Sequence, residues 1–122
     1  MVHSSSSLER LDLSNRPAAP GWFDLILDRC PNLRYFSVDN LNGEQMRKLP
    51  LKTPNLQYLK LCYMTSYSDP IIDDLAYLME NLPNLRQLLV DGKLYRLLLG
   101  QKRINLLCRR KRLSVITQPG VF

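Results

Sequence analysis

A single histidine, His3, stands in 122 residues, and it lies beside the serine run Ser4 to Ser7, where no fold is expected to hold an imidazole base in position. The three cysteines, Cys30, Cys62 and Cys108, are too widely spaced for a metal site and odd in number, which argues against a simple disulfide framework. They read as small apolar fillers, the commonest fate of a free thiol, or as reactive or modified groups. The sequence has no glycine-rich phosphate loop, no Ser/His/Asp arrangement and no cysteine/histidine ligand set. The adjacent carboxylates Asp73 and Asp74 fall in a helical pattern, where neighbours diverge by about 100° and mark a solvated side rather than an acid/base pair. The chain is therefore expected to be non-enzymatic, with no cofactor and no metal. No apolar run approaches the ~18–20 residues of a membrane span, and no basic-then-apolar leader opens the chain. No membrane contact is expected, and the cytoplasm or nucleus is the expected compartment.

Acid is also lacking from one region. Residues 1–92 carry nine Lys or Arg against eleven Asp or Glu, whereas residues 93–122 carry eight basic residues and no acid. The run Arg109, Arg110, Lys111 and Arg112 has the form of a nuclear-import or nucleic-acid signal. It reads equally as the solvated outer turn of a final structural unit. No aromatic residue interleaves with these charges to stack on bases.

What is present in quantity is repetition. Pro-Asn-Leu-Arg-Tyr-Phe-Ser-Val at 31–38 returns as Pro-Asn-Leu-Gln-Tyr-Leu-Lys-Leu at 54–61 and Pro-Asn-Leu-Arg-Gln-Leu-Leu-Val at 83–90. A fourth copy starts at Leu8 without Pro-Asn, and a fifth places Arg110 where the others have leucine. The anchors Leu8, Leu33, Leu56, Leu85 and Arg110 are separated by 25, 23, 29 and 25 residues. That spacing matches the roughly 20–29-residue period of leucine-rich repeats, whose L-x-x-L-x-L signature supplies one short strand per unit.

Side chains alternate along a strand, so the expected inward pairs are Leu11/Leu13, Phe36/Val38, Leu59/Leu61, Leu88/Val90 and Leu113/Val115. Between strands the periodicity becomes helical. It is clearest over Ile71, Ile72, Leu75, Leu78, Met79 and Leu82, with Ser68 or Asp69 as cap and Pro70 in the first turn. Weaker helical patterns cover Gly21 to Cys30, Gly43 to Leu51 and Lys93 to Cys108. Proline ends each helix and asparagine turns the chain into the next strand. Asn15 and Asn40 follow their strands, but Tyr63 and Gly92 stand at the equivalent places, so an asparagine ladder is at most partial. The expected fold is an α/β right-handed leucine-rich-repeat solenoid over residues 8–117, with about five short parallel strands on its concave side and helices on its convex side. A Ser-rich segment, 1–7, precedes it and a tail, 118–122, follows. Its ends are expected to leave apolar surface for further repeats or self-association.

The three Pro-Asn-Leu units, each following a helix, resemble the irregular repeats of F-box/LRR proteins over roughly residues 8–116. No F-box-like helical segment stands before Leu8. The resemblance implies a ubiquitin-ligase adaptor's substrate-holding half, a protein-interaction module without the part that engages the ligase core.

The outward strand positions form rows: Arg10, Tyr35, Tyr58, Gln87 and Arg112; then Asp12, Ser37, Lys60, Leu89 and Ser114; then Ser14, Asp39, Cys62, Asp91 and Ile116. The expected partner-binding set is Tyr35, Tyr58, Lys60, Asp39, Gln87, Leu89 and Asp91. Tyrosine and arginine are enriched at interface hot spots, although paired tyrosines can equally stack on each other within a sheet. The alternatives are a basic, RNA-associated module acting through Arg109 to Arg112, and a repeat segment without independent activity.

Overall fold

The computed structural model describes residues 8–13, 21–62 and 69–117. Five short strands, β1 (Arg10–Asp12), β2 (Tyr35–Asp39), β3 (Tyr58–Cys62), β4 (Gln87–Val90) and β5 (Ser114–Thr117), form one parallel sheet in sequential order. Helices separate them: α1 (Trp22–Leu27), α2 (Gly43–Lys52), α3 (Asp69–Asn81), then α4 (Gly92–Leu99) and α5 (Lys102–Lys111) together. Parallel neighbours require such crossovers, because no tight turn can return the chain to the same end of the sheet.

The three Pro-Asn pairs build one device three times. Leu33 N–H donates to the Cys30 carbonyl, Leu56 N–H to Thr53 and Leu85 N–H to Leu82, at 3.2–3.4 Å. Each is a four-residue turn with proline second, where its fixed φ is already correct. The leucine leaving each turn is buried, with Leu33 and Leu56 at 0% exposure and Leu85 at 2%, and the strand follows two residues later.

Successive units are then joined through single carbonyls. Arg34 and Tyr35 N–H both donate to Glu9 O, Gln57 and Tyr58 N–H to Arg34 O, and Arg86 and Gln87 N–H to Gln57 O, at 2.8–3.2 Å. One face of the resulting sheet carries two apolar rows in register: Leu11, Phe36, Leu59, Leu88 and Val115, then Val38, Leu61 and Val90. From β2 to β4 these side chains are all buried, in one core with Leu27, Leu49, Leu75, Leu78 and Leu94 from the helices. Each such leucine contributes about 1.5–3 kcal/mol of burial.

The last unit departs from the sequence expectation. Ser114, not Arg112, lies beside Gln87, and Ile116, not Ser114, lies beside Leu89, so Val115 and Thr117 occupy the inward register assigned to Leu113 and Val115. The slide of two residues has a local cause. Without Pro-Asn to stop it, α5 runs through Arg110 to Lys111 and closes on Arg112, whose φ of 54° is left-handed. Leu113 N–H is then spent on the Cys108 carbonyl, and only Ser114 N–H reaches Arg86 O, both at 2.9 Å. Arg110 is thus a helical residue rather than a strand anchor. The pattern over Lys93 to Cys108 likewise resolves into two helices broken at Gly100. Ser14, Asn15, Tyr63, Ser68 and the expected segments 1–7 and 118–122 lie outside the described residues.

Candidate functional site

Opposite the buried rows, the sheet presents Arg10, Tyr35, Tyr58, Gln87 and Ser114 side by side. Tyr35 and Tyr58 are directly paired. Tyr58 is 40% exposed and Tyr35 half-buried. The Arg10 guanidinium lies 4.0 Å from the Tyr35 ring centroid, a contact worth about 0.5–1 kcal/mol at an exposed site. That contact orients the ring while leaving the outer side of the pair accessible through Tyr58.

The second row is Asp12, Ser37, Lys60, Leu89 and Ile116. Lys60, Leu89 and Ile116 are partly exposed, whereas Ser37 is buried. Asp39 is half-buried and in register with Cys62. The sheet therefore brings together Tyr35, Tyr58, Lys60, Gln87 and Leu89, with Asp39 at the carboxyl end of β2.

Asp91 does not belong to that surface. It is fully buried, and its Oδ1 accepts the Leu94 N–H at 2.8 Å as the N-cap of α4. An aspartate three residues before the first apolar position of a helix is a recognisable capping signal, and Asp91-Gly92-Lys93-Leu94 carries it. The same chemistry starts α2, where Asn42 and Gln45 exchange bonds of 2.8 and 3.0 Å in a capping box.

The basic run is divided. Arg110 pairs with Glu80 of α3. Lys111 Nζ donates to the carbonyls of Met79, Glu80 and Leu82 at 2.8, 2.7 and 3.4 Å, closing the carboxyl end of α3. Burial pushes the Lys111 ammonium below its ordinary pKa, against the pull of Glu80. Arg109 and Arg112 remain exposed. Arg110 is exposed as well but ion-paired, and Lys111 is half-buried, so a single tract of four free cations does not form.

Charge between helices follows a pattern that sequence reading missed. Asp24 of α1 meets Lys48 and Lys52 of α2 at 3.6 and 3.1 Å, and Asp28 meets Lys52 at 2.6 Å. Hydrogen bonding to Lys52 holds the Asp24 carboxyl below its ordinary pKa, while Asp28 and then Asp24 raise that of Lys52. Asp73 and Asp74, a turn's fraction apart on α3, serve opposite neighbours: Asp74 binds Arg47 of α2 at 2.7 Å and Asp73 binds Arg103 of α5 at 2.6 Å. Gly43 leaves the space that the Asp74 carboxylate fills.

Cys30 is a buried free thiol and Cys108 a half-buried one, whose pKa burial raises. Among the described residues no three His, Cys, Asp or Glu side chains gather into a metal-binding group. No helix among them is long and apolar enough to cross a membrane. No protein-family model, no curated protein and no solved structure matches the chain.

Proposed function

We propose that the chain is a non-enzymatic recognition module: a right-handed leucine-rich-repeat solenoid whose concave sheet face binds another protein. The observation that carries this reading is the paired Tyr35 and Tyr58, in register on one sheet face with Arg10 and Gln87 on either side. Tyrosines on rigid strands give broad amphipathic contact at low cost in side-chain entropy. Lys60 and Leu89 add a cation and an apolar edge in the neighbouring row. The sequential parallel strand order with an intervening helical segment at each step is what a leucine-rich-repeat arc requires. By its Pro-Asn-Leu units the module resembles the substrate-holding part of F-box ubiquitin-ligase adaptors, so its partner is a protein to be ubiquitinated.

A Tyr35→Ala, Tyr58→Ala double variant tests this. The immobilised chain is compared with the variant by cross-linking and mass spectrometry, with circular dichroism as the folding control. Expected is an unchanged helix signal and loss of the captured partner, since a hot-spot truncation costs about 2 kcal/mol or more. Unchanged recovery with an intact fold removes this surface from consideration, and capture that instead follows Arg109 and Arg112 and collapses with added salt supports nucleic-acid binding.

A further inference from the structure

Apart from α4, which carries Lys93 and Arg96 and no acid, the helices alternate in the charge they bring to their ion pairs. Asp24 of α1 and Asp28 at its carboxyl cap face Lys48 and Lys52 of α2, Arg47 of α2 faces Asp74 of α3, and Asp73 and Glu80 of α3 face Arg103 and Arg110 of α5. The order is acidic, basic, acidic, basic, and it stops at α5. That helix has no acid of its own. Beyond its contact with α3 it displays Lys102, Asn105, Leu106 and Arg109, spaced as one helical stripe along a groove of about 260 Å³. Leu106 is 63% exposed. Asn105 also borders a second depression, of about 160 Å³, which includes Leu99 at 54% exposure. No carboxylate among the described residues pairs with Lys102 or Arg109, whereas the cations on the α3 side of the same helix are paired.

We propose that this outer face of α5 docks an acidic amphipathic helix of a partner protein, which continues the alternation by one layer. The chemistry of the stripe selects such an occupant. Lys102 and Arg109, two turns apart, take carboxylates on a neighbouring helix, as Arg103 and Arg110 take Asp73 and Glu80 at the same seven-residue spacing. Leu106 between them, with Leu99 beside, takes an apolar side chain. A phosphate backbone would meet the two cations but leave both leucines in water, and no aromatic ring stands between Lys102 and Arg109 on the stripe to stack a base, Tyr95 lying across the second depression. The site lies on a helix and not on the tyrosine-bearing sheet face, so the two surfaces are separable by mutation.

The probe is a synthetic amphipathic helix with a leucine stripe flanked by glutamates, titrated against the intact chain and followed by fluorescence anisotropy. Expected is saturable binding that weakens with salt and falls about tenfold when the glutamates become glutamines. A Lys102→Glu, Arg109→Glu variant loses at least as much, and Leu106→Ser loses less, while circular dichroism is unchanged because all three positions are exposed. Tyr35→Ala, Tyr58→Ala leaves this binding intact. Absence of saturable binding below ~1 mM overturns the proposal. It is overturned equally by a single-stranded oligonucleotide that binds more tightly through the same residues, or by sedimentation showing that this face joins two copies of the chain.

Discussion

The units beginning at Leu33, Leu56 and Leu85 and the unit ending in β5 perform the same task by different means, and the contrast locates what sets the register. In the first group a proline-initiated turn delivers a buried leucine and two adjacent amides to one carbonyl of the preceding unit. In the last, a helix runs on until Arg112 bends it through a left-handed conformation, one amide is diverted to Cys108, and the strand engages two residues later than its sequence pattern predicts. The apolar periodicity is present in both. What differs is the stop signal, and the stop signal decides where the strand begins.

The largest test of this contrast is truncation of the anchors. Leu56→Ala removes a fully buried side chain held between two regular units and is expected to cost about 3 kcal/mol in urea unfolding. Leu113→Ala, beside the edge strand β5 at 4% exposure, is expected to cost about half of that. Equal losses would mean that the last unit is as tightly built as the others. A smaller effect of opposite sign is expected at the bend itself. Arg112→Gly relieves a non-glycine residue at φ 54° and should stabilise the chain by about 1 kcal/mol. Asn40, at φ 59° after β2, already has a side chain that tolerates this region, so Asn40→Gly should gain less.

The smallest effect is read by pH at the contact between α1 and α2. Because the folded-state pKa of Asp24 is lowered, its contribution is complete above the ordinary carboxylate value and disappears as pH falls through the folded one. Lys52→Met should therefore flatten the acid limb of the stability curve, measured by thermal melts from neutral pH downward. An acid limb that Lys52→Met leaves as steep as before would remove this contact from the acid sensitivity of the fold.

Much of the sheet was legible because its instructions are short-range. Pro31-Asn32, Pro54-Asn55 and Pro83-Asn84 fix the turns, and alternation in Tyr35 to Val38, Tyr58 to Leu61 and Gln87 to Val90 fixes which side is buried. The tyrosine pair followed directly from those registers. Arg110 and Arg112 differ from the repeat pattern because a missing turn shifts the phase of the strand that follows. Asp91 obeyed a capping rule that competes with its place in an outward row. The inter-helical ion pairs join residues 24 to 30 positions apart, and no local pattern announces which face of one helix will meet which face of another.

The shared carbonyls of Glu9, Arg34 and Gln57 give the molecule a direction. Each receives two amides from the unit that follows, while Arg86 receives one, so loosening should travel inward from β5 instead of starting everywhere at once. The chain is built to fray like a rope finished with a single hitch at one end, and transient opening there would free the very helix that carries its unopposed positive charge.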